Sequence, residues 1–423
     1  MKLTKRIAAA VIAAVMICTC AGCRNGSSDN SAASTADSEK QTAAPEEGKY
    51  HKLTKEDIMS VYSSVGKEVY KDMSMDEGIA SADASKLALT EEEKEKIRAM
   101  KLKVAIEKDA LDDAGKWQIA GMQEVADDLG IDIANTWIAS DKTGNSQTDD
   151  YVRFEAVADQ YDALFTLAVD MASSSEILKK IMKKTKVGFI CSAPFDVDWE
   201  DENFIGVSDA DNYLAGVYSA QAAVDILGGK GKIGMIGWEN GHSGNFHTCW
   251  QRYQGWADVL AENPDIETVE KWYDAPANSK QVISGLLASN PDIDLLLIDF
   301  ANPPADEAQA LLKEQGYTAW EDIAMVTIDT DATIAIPMAK DGPDNNYVAA
   351  FAGQDWYGAG KNIMLMYARN LLDGANAPKF VAAPPTPVSV YENLKTNYEI
   401  LAPKGWDIPE EVMALDNQWT YDN

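Results

Sequence analysis

Short apolar runs in this sequence are repeatedly followed by residues that can hold a hydroxyl group or cover a ring. Asp112 and Trp117 follow the run at 102–106, Asp170 follows 163–168, and Ser192 and Phe195 follow 187–191. Further along come Asn245, His247 and Trp250, then Asn302 after 295–298, Asp329 after 325–328, and Gln354 with Trp356 after 348–351. The chemistry open to such a set is recognition. A carboxylate accepts bonds from more than one donor, and an amide both donates and accepts. An indole lies against an apolar face while its N–H stays free to donate.

The same chain offers no catalytic or metal-binding constellation. Gly228-Gly-Lys-Gly-Lys232 lies between a helix and a strand, whereas a phosphate-cradling loop runs from strand to helix, so it reads as a turn. Gly241-His-Ser-Gly244 is followed by Asn245, where a nucleophile elbow needs glycine. A calcium loop starting at Asp196 would have Asp201 and Val207 where Gly and Glu belong. His51, His242 and His247 lack zinc spacing. The expectation is a binding protein rather than an enzyme, with no metal and no cofactor.

Strand–helix alternation must position these loops. The stretch 204–237 reads as a strand, a break rich in N-cap residues at 208–212, a helix, and a second strand at 233–236. Leu214, Val217, Ala220, Val224 and Leu227 fall at helical spacing, and Gly228-Gly229 stops the helix. Upstream, strands are expected at 102–106, 131–138, 163–168 and 187–191, with helices at 117–129, up to about 159, and 176–184. Downstream, strands are expected at 268–273, 295–298, 325–328, 348–351 and 388–391, with helices at 248–262, 279–287, 304–315 and 354–372. This is an α/β chain with two doubly wound parallel sheets. Ligands of such sheets bind beyond the carboxyl ends of the strands, where the residues above fall.

The segments IGVSDADNYLAG at 205–216 and LGGKGKIGMIG at 227–237 resemble the crossover of the type 1 periplasmic sugar-binding proteins, the ribose-, galactose- and xylose-binding relatives. The resemblance spans roughly 101–400. It implies two lobes joined by a three-segment hinge, with 101–208 and 354–382 in the first lobe and 209–353 and 383–423 in the second. Trp117 sits near the family's ring-stacking aromatic; its other reading is a core residue on the apolar side of its helix. Ser192-Ala193 replaces an Asp-Arg pair of ribose-type relatives, which argues against ribose. Arg252-x-x-Gly255-Trp256 matches a recurring family pattern in which the arginine is structural and position 250, here Trp250, often touches ligand. Asp329, in VTIDTD, corresponds to the strand-ending aspartate that accepts two sugar hydroxyls, and Gln354 to a hinge-side glutamine. Trp356 reads as a second ring or as core, and His247 as a polar loop residue or a cleft lining. Asp329→Ala is expected to abolish binding and leave the melting temperature of the empty protein nearly unchanged.

The resemblance implies an extracytoplasmic solute-binding lipoprotein that captures a monosaccharide, or a similar polyhydroxylated molecule, and delivers it to an ABC importer. The alternative is a sensing module that presents a sugar or autoinducer to a membrane kinase or chemoreceptor. The N-terminus agrees with export. Lys2, Lys5 and Arg6 precede an apolar run at 7–16. The following Thr19-Cys20-Ala21-Gly22-Cys23 resembles a bacterial lipobox, with Cys20 departing from its usual aliphatic residue; a plain secretory signal is the other reading. The expectation is a signal peptide at 1–22, lipidation at Cys23 with anchoring to the outer face of the cell membrane, and a disordered tether at 23–50. A helical extension occupies 51–100, with Thr54 as an N-cap and Thr90 to Glu93 as a capping box.

The 423 residues suit two domains, and 46% apolar with 25% charged residues is an ordinary globular balance. Acidic residues outnumber basic ones 68 to 37, a surface that repels phosphate backbones and excludes nucleic acid as a partner. Cys191 and Cys249 are placed on different lobes by the resemblance, where a bond would lock the hinge, so free thiols are expected. The expected partners are the ligand and a membrane permease, with the protein itself a monomer.

Overall fold

The computed structural model describes residues 49–62, 69–140, 145–402, 407–416 and 419–421. The expected signal peptide, the lipidation at Cys23 and almost all of the tether lie outside the described residues.

The extension carries helix α1 (Lys55–Tyr62), a hairpin of β1 (Val69–Tyr70) and β2 (Ile79–Ala80), and helix α2 (Glu91–Met100). Alternation then begins with β3 (Lys103–Lys108), α3 (Asp113–Leu129), β4 (Asp132–Ile138), α4 (Asn145–Glu155), β5 (Ala163–Thr166), α5 (Met171–Met182), β6 (Lys186–Ile190) and β7 (Phe204–Asp209). It continues through α6 (Asn212–Ile226), β8 (Gly231–Trp238), α7 (Glu239–His242), α8 (His247–Ala261), β9 (Ile266–Tyr273), α9 (Ser279–Ser289) and β10 (Leu295–Ile298). Next come α10 (Asp306–Gln315), β11 (Ala324–Ile328), α11 (Ala332–Asp341) and β12 (Val348–Ala352). The chain finishes with α12 (Trp356–Asp373), β13 (Phe380–Ala382), α13 (Leu394–Leu401) and α14 (Glu410–Met413).

Two parallel sheets result, in the orders β13-β7-β6-β5-β3-β4 and β12-β11-β10-β8-β9. Strands β5, β7, β10, β11 and β12 are buried along their whole length, which is why they read as continuous apolar runs rather than alternating ones. Two expectations need correction. Residues 388–391 form no strand; Ser389 makes a single antiparallel bridge to Phe351. Pro384, Pro385 and Pro387 just upstream cannot donate to a ladder. The late strand is instead β13, paired with β7 in the first sheet. The extension is also not purely helical, because β1 and β2 pair as an antiparallel hairpin.

The chain passes between the sheets three times, and the passages lie side by side. Ala383 N donates to Asp209 O at 2.8 Å, and Thr386 N to Gly353 O at 3.1 Å. Two helix crossings flank them. A Cβ on Gly121 of α3 would stand 2.1 Å from Tyr357 O of α12, and one on Gly216 of α6 2.2 Å from Arg252 O of α8. Only glycine permits these approaches. The first crossing brings Gln118 and Trp356 to one place; the second seats Arg252 beside the hinge.

Candidate functional site

Strand order reverses beside β3 in the first sheet and beside β8 in the second, and ligands of open α/β sheets sit at such points. The loops leaving both sheets meet around one cavity, about 810 Å³ with its open solvent included. The first sheet supplies Lys108, Asp109, Asp112, Leu167 and Val169, and α3 adds Gln118. The second supplies Trp238, Phe246, Thr248, Tyr273, Phe300, Asn302, Asp329, Thr330 and Asp331, and α12 adds Trp356.

Aromatic faces make up much of the wall. Trp238 stands at the end of β8 with Phe246 across it, ring centroids 5.4 Å apart at 67°. Its backbone N–H donates to Asp299 Oδ2 at 2.9 Å. Asp299 is held in turn by the hydroxyls of Tyr253 (2.6 Å) and Tyr273 (3.0 Å). Burial pushes the Asp299 carboxyl up to about 6, despite these donors and Arg252. Three of the lining residues carry a buried polar atom with no partner: Gln118 Oε1, Thr330 Oγ1 and Trp356 Nε1. A buried polar atom left unbonded costs about 1–3 kcal/mol.

The charges around the cavity are already engaged. Lys108 is buried, with Nζ 2.9 Å from Asp109 Oδ1. Burial alone would depress its pKa; Asp109, Asp112 and Glu107 outweigh that and raise it. Asp112 caps α3 through Gly115 N at 3.0 Å, and Asp331 caps α11 through Thr333 N at 2.8 Å. Asp329 adopts a left-handed φ of 89° and its Oδ1 accepts from Arg252 Nη2 at 2.6 Å. Burial raises its pKa against the pull of Arg252. Arg252 is completely buried. It also donates from Nη2 to Gln354 Oε1 at 2.6 Å, from Nε to Asn212 Oδ1 at 3.0 Å and from Nη1 to Asp299 O.

Of the residues singled out by sequence, Asp112, Asn302, Asp329 and Trp356 line the cavity together. The others lie elsewhere. Trp117 is buried with its Nε1 donating to Asp407 Oδ2 at 2.9 Å and its ring edge-on to Tyr398, the core alternative for this residue. Gln354 spends its amide on Arg252, on Asn212 Oδ1 at 2.7 Å and on Ala210 O at 3.2 Å, so it ties the hinge rather than facing the cavity. Asp170 caps α5 through Ser173 N and accepts from Asn245 Nδ2, both at 2.8 Å. Asn245 therefore bridges the rims of the two lobes, helped by Ala172 N donating to its Oδ1 at 2.9 Å. His247 is buried beneath Tyr70, with ring centroids 4.1 Å apart. Ser192 is buried, Phe195 and Trp250 are half-buried, and none of the three lines the cavity. Sequence reasoning passed over Gln118, which neighbours Trp117, and Trp238, the strand-end residue of β8 that the carboxyl-end rule itself marks.

Residues 112–377 match the family described as periplasmic binding protein domain. No curated protein matches the sequence. Among solved structures, the chain is similar to GanP, a glucose-galactose binding protein from Geobacillus stearothermophilus, at 16% identity and TM-score 0.59, over 69% of this chain and 98% of that one. An ABC transporter solute binding protein from Agrobacterium vitis, bound with alpha-D-tagatopyranose, matches at 17% identity and TM-score 0.59, over 70% and 96% of the two chains. A sugar-binding protein of a sugar ABC transporter from Bacillus halodurans matches at 18% identity and TM-score 0.58, over 70% and 100%.

Proposed function

The chain belongs to the periplasmic binding protein family, and we propose that it captures a monosaccharide, or a similar polyhydroxylated small molecule, between its lobes and delivers it to an ABC importer. The observation that carries this reading is the cavity itself. Its lining joins the aromatic residues Trp238, Phe246, Phe300 and Trp356 to the polar residues Gln118, Asn302 and Thr330, and the walls come from both sheets. Apolar C–H faces with a polar edge are what such a lining accommodates. The glucose, galactose and tagatose named for the structural neighbours have that character.

In this reading Asp112, Asn302, Asp329 and Trp356 contact the ligand together with Gln118 and Trp238. The lobes comprise 101–208 with 354–382 and 209–353 with 383–423, and ligand drives closure by binding the closed form better. The protein is a monomer, held at the outer face of the cell membrane through lipid on Cys23, and its closed form docks on a membrane permease. Calorimetry with a monosaccharide panel that includes glucose, galactose and tagatose is the test. At least one sugar should bind near micromolar, about −8 kcal/mol. Absence of heat with the whole panel would overturn the proposal. Lipidation is read separately by palmitate labelling, which Cys23→Ala should abolish.

A further inference from the structure

We propose that the N-terminal extension is a strap across the two lobes that favours the closed state, with Tyr70 as its wedge. Its upstream part is fixed to the second lobe. Lys49 Nζ lies 3.0 Å from Asp294 Oδ1, the Tyr50 hydroxyl donates to Asp294 O at 2.9 Å, and His51 N donates to Ile226 O at 2.8 Å. Its downstream part is fixed to the first lobe. Glu93 pairs with Arg369 at 2.8 Å, and Lys94 with Asp128 at 2.9 Å.

Between these anchors the hairpin touches both lobes at once. Tyr70 is completely buried. On one side its ring stacks on His247 of α8 at 4.1 Å and 21°. On the other it meets Trp199 at 5.2 Å and Phe380 of β13 at 5.5 Å, and its hydroxyl accepts from Ala193 N at 3.2 Å. Gln251 of α8 clamps the hairpin backbone, its Nε2 donating to Lys71 O at 3.2 Å and Val69 O at 3.4 Å. The same Nε2 approaches His247 Nε2 at 3.0 Å, which makes His247 the acceptor there. Ser81 Oγ accepts from Ala382 N at 3.0 Å, and Ala82 N donates to Phe380 O at 2.9 Å, stitching the end of the hairpin to β13.

A side chain walled by two bodies loses half its walls when they part. Opening the lobes must strip Tyr70 from either His247 or the Ala193–Trp199–Phe380 face. The apolar surface then exposed shifts the equilibrium toward closure by about tenfold. A closed form populated in advance lowers the cost that a ligand has to meet.

Two rim residues report the equilibrium without any ligand. Leu111 and Ala277 are exposed and flank the lining residues Asp112 and Pro276 on opposite lobes. The full chain carrying Leu111→Cys and Ala277→Cys, with Cys18, Cys20 and Cys23 each replaced by serine, takes spin labels at the rim, because Cys191 and Cys249 are buried. Electron–electron distance measurement should give one short separation in this parent. Tyr70→Ala should add a longer separation, and Gln251→Ala should do the same while leaving the wedge side chain intact. Tyr70→Phe should stay close to the parent. A distribution unchanged in folded Tyr70→Ala overturns the proposal. Should Tyr70→Ala not fold, an unchanged distribution in Gln251→Ala overturns it equally.

Discussion

Removing Asp329 should destabilise the empty protein, contrary to what its strand-end position alone suggests. Arg252 has no exposed side-chain surface and Asp329 only 13%. Arg252 is thus closed off from water and Asp329 nearly so, and deleting the carboxylate leaves a buried charge uncompensated. Such deletions cost about 3–5 kcal/mol. Arg252 keeps its bonds to Gln354, Asn212 and the Asp299 carbonyl, and its guanidinium stays 4.6 Å from the Phe300 ring centroid, so the low end applies. With unfolding entropy of about 2.1 cal/mol/K per residue, ~3 kcal/mol lowers the midpoint by about 8 °C if the lobe of about 185 residues that holds Asp329 melts alone, and by about 4 °C if both melt together. Scanning calorimetry of ligand-free Asp329→Ala measures this directly. Asp329→Asn should lose less, because its side-chain oxygen still accepts from Arg252. An Asp329→Ala midpoint within about 1 °C of wild type would refute the reasoning and make Asp329 a ligand group alone.

The remaining predictions are shorter. Gln118→Leu should weaken sugar binding about tenfold, the worth of one good hydrogen bond. It should leave the empty protein at least as stable, because it removes an amide oxygen that has no partner; calorimetry and a thermal melt read the two effects. Glu107 should make stability fall with rising pH. Burial pushes its carboxyl up to about 8, although Thr166 and Gln147 donate to it. The folded state therefore holds a proton that the unfolded chain releases near 4. The contribution is complete below about pH 4 and is lost on approach to pH 8, at ~1.4 kcal/mol for each pH unit between the two values. Urea melts should show a decline from pH 5 to pH 8 that flattens in Glu107→Gln. Cys191 and Cys249 are free and buried, and burial pushes both thiols well up. In a chain with Cys18, Cys20 and Cys23 replaced by serine, a thiol reagent at pH 8 should find neither until denaturant is added.

Much of the architecture was legible because parallel strands buried on both faces announce themselves as apolar runs, and because the helix between 212 and 226 is bounded by an aspartate cap and a glycine pair. Its cap is visible as Asp211 accepting from Leu214 N at 2.9 Å. The site was less legible, for a physical reason that particular residues make plain. Local pattern says which face of a helix meets its sheet; it does not say which polar groups a distant segment will consume. Trp117 is taken by Asp407 and Tyr398, Gln354 by Arg252, Asn245 by Asp170, and His247 by Tyr70, and each of these partners lies far away in sequence or on another element. The hairpin around Tyr70 has strands of two residues, too short to show a period.

Among the strand-end aspartates the deciding competition is with helix capping. Asp112 and Asp170 each give a carboxylate oxygen to the first turn of the next helix, to Gly115 N and Ser173 N. In Ile328-Asp-Thr-Asp331 the competition is settled within four residues. Asp331 takes the cap of α11, accepting from both the backbone and the hydroxyl of Thr333 at 2.8 and 2.7 Å. Asp329 is thereby spared, turned by its left-handed backbone toward Arg252 and the cavity. A strand-ending aspartate followed two positions later by a second one can serve a ligand, because the second relieves it of the helix.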